Sequence, residues 1–153
     1  MKVTIEVDES LSEECVVIKC RELNEHIMKM QKLLSEQANS DMTILLRKAD
    51  KEYYMPLDKI LFFETENKII RAHTKEEMYE TDYKLYELEE VLPGYFMRIS
   101  KSAIVNIKPI YSITKNITSS SIIEFEDSHK KVYVSRNYYK ALVERLAEKR
   151  RRI

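Results

Sequence analysis

The chain has 153 residues, 44% of them hydrophobic and 34% charged, with a formal net charge of zero. That length allows one domain, or one with a small appendage, and the composition belongs to a folded soluble protein rather than a disordered one. The single glycine, Gly94, excludes the glycine-rich loops that cradle phosphates in nucleotide sites.

The zero conceals a gradient. Residues 1–50 carry 7 basic and 10 acidic side chains, residues 51–93 carry 6 and 11, and residues 94–153 carry 13 and 5, giving −3, −5 and +8. Without Lys149 to Arg152 the last stretch still holds 9 basic against 5 acidic groups, so the bias is not confined to the closing basic run. A basic last third behind an acidic front points to a polyanion-binding face. No apolar run approaches the roughly 20 residues that span a bilayer. The opening MKVTIEVDES lacks an apolar signal core, so a cytoplasmic location is expected. Cys15 and Cys20 lie five apart in a strand-like stretch, on opposite faces, which argues against a mutual disulfide or a shared metal.

In chain order, Lys2 to Val7 alternates Val3, Ile5 and Val7 with polar residues, as a half-buried strand does. Glu14 to Cys20 reads as a second strand. Arg21 to Gln37 changes period: Leu23, Ile27, Met30 and Leu34 form the stripe of an amphipathic helix. That stripe either packs on the two strands or forms a dimer seam. A linker is expected at Gln37 to Asp41, dividing a small β-β-α segment (1–40) from a second domain (41–153). Short strands separated by tight polar turns follow, at 43–47, 52–55, 59–64, 68–74 and 77–81, the pattern of an antiparallel β assembly. Leu85 to Leu92 marks a short helix stopped by Pro93-Gly94. Phe96 to Asn106 joins a basic polar cluster (Arg98, Ser100, Lys101, Ser102) to an apolar strand-like run. Strands are predicted at 104–107, 110–114, 121–126 and 131–134, and a closing helix at 137–152. The fold class is therefore mainly β.

The three histidines are dispersed and none has a neighbour at metal-ligand spacing, so neither metal nor cofactor is expected. No nucleophile motif supports an enzyme. Basic side chains concentrate instead at three turns or strand ends: Lys68 to Arg71, Arg98 to Ser102, and Arg136 to Lys140. Arg and Lys beside Ser and Asn at strand ends suit phosphate oxygens and base edges. Against this, Arg71 reads equally as an ordinary surface residue, Arg98 as the partner of an acid such as Glu64, and Ser102 and Asn106 as hydrogen-bonding scaffold.

Three segments, ILFFETENKIIRAH, KLYELEEVLPGYFMRISKSAIVN and VYVSRNYYKAL, carry a resemblance. With Glu64, Asn67, Leu85, Phe96-x-Arg98-x-x-x-Ser102-x-x-Val105-Asn106 and Ser135-Arg136 in this order, residues 42–146 resemble the LytTR family of bacterial DNA-binding domains. The resemblance implies an elongated antiparallel β-sheet fold with short helices, reading the major groove of double-stranded DNA by loops. Matched by motif position, it implies base contacts from Ile70, Lys101 and Arg136. Backbone contacts would come from Lys68, Arg71, Ser100, Ser135, Asn137 and Lys140. Isoleucine departs from the polar residue common at the position of Ile70 and cannot donate a hydrogen bond, so its contact is expected to be lost or to become an apolar touch on a thymine methyl. The resemblance also implies paired direct repeats, hence a homodimer or paired monomers on DNA. Because about 40 residues are too few for a receiver domain, a membrane-protein regulator encoded nearby is a further implied partner. The competing reading is a protein-interaction module with an incidental basic edge.

Overall fold

A computed structural model describes residues 1–12, 14–39 and 42–149. The chain divides into two units, residues 1–38 and 39–153.

Among the described residues of the first unit the only regular element is α1 (Glu25–Asn39). Its N-cap is Asn24, whose Oδ1 accepts the backbone N–H of Ile27 at 3.0 Å, satisfying one of the donors a helix start leaves open. The strands expected at Lys2–Val7 and Glu14–Cys20 are not formed: the described residues there carry no regular structure, and nearly all are exposed. An alternating segment becomes a strand only when its N–H and C=O groups meet a ladder, and here none does among the described residues. Of the expected linker, Gln37 to Asn39 belongs to α1, while Ser40 and Asp41 lie outside the described residues, as do Arg150 to Arg152 of the basic tail.

Among its described residues the second unit holds ten strands and two α-helices. Chain order is β1 (Thr43–Lys48), β2 (Lys51–Pro56), a 3-10 turn (Leu57–Lys59), β3 (Phe62–Glu66), β4 (Ile69–His73), β5 (Met78–Thr81), α2 (Leu85–Val91), β6 (Phe96–Ser100), β7 (Ala103–Asn106), β8 (Ile110–Thr114), β9 (Ser121–Phe125), β10 (Lys131–Val134) and α3 (Arg136–Lys149). Seven strands form one sheet in the order β2-β1-β5-β4-β3-β7-β6, and three form another in the order β10-β9-β8. Every pairing is antiparallel.

The doublet Phe62-Phe63 and the run AIVN explain the layering. Adjacent strand residues point to opposite faces, so Phe62 and Val105 enter one core while Phe63 and Ile104 enter the other. The first core packs against Ile123 and Phe125 of β9, Val132 and Val134 of β10, and Leu142 of α3. The second takes Leu46 of β1, Ile70 and Ala72 of β4, and Leu85 and Leu88 of α2. With β7 buried at all four residues, its continuous apolar run is that of a strand covered on both faces. Full burial of side chains this size stabilises by about 1.5–3 kcal/mol each, which makes β3 and β7 the rigid axis behind the loops described next.

Candidate nucleic-acid interface

Three connections meet at one end of the β3–β7–β6 ladder. The β3–β4 turn is Asn67-Lys68, with φ of 51° and 65°. Two successive left-handed residues give a two-residue hairpin turn, closed here by the pair Glu66–Ile69. Beside it lies the β6–β7 turn, because the N–H of Thr65 donates to the carbonyl of Ser102 at 2.8 Å. Between β6 and β7 the pairing skips: Arg98 faces Ile104 but Ser100 faces Ala103, leaving Ile99 as the extra residue of a bulge. The Ile99 carbonyl accepts the N–H of Ser135 at 2.9 Å, which fastens the β10–α3 junction to the same end. Two main-chain hydrogen bonds thus set the expected basic regions in a row.

The β6–β7 turn is held from within. Arg98 Nε donates to the Ser100 carbonyl at 2.6 Å and Nη2 to the Lys101 carbonyl at 2.5 Å, while Nη1 pairs with Glu89. The acid is therefore Glu89 on α2, not Glu64, which register sets opposite Arg71 and Ala103. Ser100 Oγ accepts the N–H of Ser102 at 3.1 Å, completing the turn. Asn106 is scaffold as expected: buried, it donates from Nδ2 to the Ile60 carbonyl and accepts the Lys108 N–H at Oδ1, both at 3.0 Å.

On this frame Lys68, Lys101, Arg136, Asn137 and Lys140 are exposed, and Ser100 and Ser135 half-exposed. Among the described residues, Lys68, Lys101, Arg136 and Lys140 have no acidic partner, whereas Arg47, Lys48 and Arg98 pair with Asp82, Glu77 and Glu89. Arg136 and Lys140 are four apart on α3, one above the other on the same face. The first turn of that helix also presents main-chain N–H groups at the positive end of its dipole.

Two expected contact residues sit differently. Ile70 is 8% exposed and belongs to the second core, facing Thr65 and Thr81 across the sheet. Strand alternation sends it inward, so the expected base contact is not open to it; its neighbour Ile69 is the exposed one. Arg71 is half-buried on the other face, with Nη1 3.5 Å from Glu66 Oε2 and from Met78 Sδ. Next to it His73 stacks on Phe62 with ring centroids 4.3 Å apart. Burial first, then the Lys130 and Arg71 cations, lowers the His73 pKa to about 4. Sequence reasoning missed the turn-holding role of Arg98 and the exposure of Ile69; an arginine two residues before Ser100 and the period of β4 were the available signals.

Among the described residues no group of three His, Cys, Asp or Glu side chains could hold a metal ion. No helix in them is long and apolar enough to cross a membrane.

An uncharacterized HTH-type transcriptional regulator of Staphylococcus aureus (strain bovine RF122 / ET3-1) is 29% identical over 148 residues, covering 96% of this chain and 99% of that protein. The same values hold for one from strain N315. Among solved structures, the LytTr DNA-binding domain of a putative methyl-accepting/DNA response regulator from Bacillus cereus matches with a TM-score of 0.64 and 25% identity, covering 70% of this chain and 98% of that one. No two of the described α-helices follow one another in this chain, so none forms a helix-turn-helix. The family model described as the LytTr DNA-binding domain matches residues 50–147, and the chain belongs to that family.

Proposed function

We propose that the chain is a sequence-specific DNA-binding transcriptional regulator. In this reading two copies occupy paired direct repeats, each inserting loops rather than a helix into the major groove. The observation that carries it is the row of unpaired cations on a turn-and-bulge frame. Lys101 and Arg136 stand at strand ends tied to one another through β6, and both project side chains able to reach guanine O6 and N7. Lys68, Ser100, Ser135, Asn137 and Lys140 flank them as phosphate contacts. Ile69 replaces Ile70 as the apolar neighbour of a base. Arg71, engaged with Glu66, braces the β4 face. The regulators named among the relatives support the transcriptional role.

The test is Arg136→Ala in an equilibrium binding assay on a footprinted repeat and on unrelated DNA. Loss of one guanine contact costs about 1–3 kcal/mol, roughly 5- to 150-fold in affinity for the repeat, with much smaller loss on unrelated DNA. Unchanged affinity for the repeat would remove Arg136 from base reading.

A further inference from the structure

The unit of residues 1–38 buries almost none of what it should. Val3, Ile5 and Val7 are 84%, 90% and 87% exposed, and Val16, Leu23 and Leu34 are exposed as well. Their order along the sequence is nonetheless that of a folded layer. Lys2–Val7 has strict strand period. The chain then reverses at Asp8, whose carbonyl accepts the Leu11 N–H at 3.3 Å and whose Oδ1 accepts the Ser10 N–H at 2.9 Å. Glu14–Cys20 follows, and then the capped helix α1 with its own apolar stripe. The lengths match: six or seven extended residues and a 15-residue helix each span about 20 Å.

A 38-residue unit is below the size, about 40 residues, at which a core usually suffices without disulfides, metals or oligomerisation. Cys15 and Cys20 are free and exposed, and no metal cluster exists among the described residues. A two-stranded ribbon is marginal alone, whereas a sheet of three or more strands covered by helix is not. Doubling the unit supplies that.

We propose that residues 1–38 are a dimerisation unit, in which a second copy of this chain completes a four-stranded sheet under two α1 helices. Antiparallel pairing of Lys2–Val7 with itself about a two-fold axis at Thr4 is chemically self-complementary. Val3 then faces Ile5, Val7 faces Met1, and Lys2 faces Glu6, twice over. One register therefore buries every apolar side chain of the arm against another and pairs its charges. Shifting it by one residue would set apolar opposite polar throughout. The inference is independent of DNA reading and is tested without DNA.

The experiment is the mass of the full chain by light scattering across a dilution series, beside Val3→Asp/Ile5→Asp. A dimer is expected for the parent and a monomer for the double variant, with the thermal unfolding of the larger unit unchanged. A second variant reads the axis: Thr4→Cys, with Cys15→Ser and Cys20→Ser, should join two chains under mild oxidation. Directly opposed strand residues lie within disulfide range, and Lys2→Cys in the same background should not cross-link. A monomeric parent, with these side chains taken up within one molecule or by a different protein, overturns the proposal. So does a dimer that survives the double variant, and a dimer in which Thr4→Cys fails to cross-link overturns the pairing.

Discussion

The guanidinium of Arg98 commits its donors to the turn that follows it and to Glu89, so Lys101 is presented on main chain that is already ordered. Order of this kind lowers the entropic cost of engaging a ligand, so under the proposed reading Arg98 would aid recognition without touching DNA. Ile70 is the converse, a family-position residue that serves packing. Ile70→Ala should destabilise the protein by about 2–5 kcal/mol through loss of buried methylenes and a residual cavity. Its effect on sequence preference at stabilising temperature should be small; an altered preference in a fully folded variant would return Ile70 to the interface. His73 gives a pH signature. Its folded pKa of about 4 is below the ordinary 6.5, so the unfolded chain binds more protons between these values. Stability from the neutral imidazole is complete above pH 6.5 and lost as pH falls toward 4. His73→Phe keeps an aromatic ring against Phe62 and removes the titration. Chemical unfolding at pH 7 and pH 4.5 should show a smaller difference for this variant than for the parent, and an equal difference would contradict the assignment.

At the scale of elements, the β3–β4 hairpin is the most informative. Asparagine tolerates the left-handed conformation at residue 67, but lysine at residue 68 adopts it at a cost that glycine would not incur. Lys68→Gly is therefore expected to stabilise the protein by about 1 kcal/mol while weakening DNA binding alike on all sequences. If one phosphate contact is lost, the slope of log affinity against log salt should shrink by about 0.9. Unaltered DNA affinity would leave the strained lysine without the role given to it. Elements of this kind were legible in the sequence where period and punctuation agreed. Strands β1, β2 and β8 to β10 and helix α2 lie within a residue or two of expectation. Strand β6 carries no clear strand signal, because its bulge breaks the alternation and Arg98 and Ser100 give it the look of a loop. The arms at 2–7 and 14–20 have the period of strands, but period specifies a face and not a partner. Which residues would cluster was legible; that Arg98 turns inward and Ile70 is covered depended on register, which only the ladder reveals.

At the scale of the whole molecule, two units divide the work. Residues 39–153 supply a frame whose two cores hold three loops in line. Residues 1–38 carry exposed apolar side chains, and a second copy covering them, as proposed, would bring two such frames together. The central claim is that this row of loops reads sequence in DNA. The most direct measurement is a genome-wide footprint of the purified full chain on the DNA of its own host at two salt concentrations. Protection of paired direct repeats, weakened at the higher salt because phosphate contacts release counterions, is the predicted result. No protection at either concentration would contradict the account.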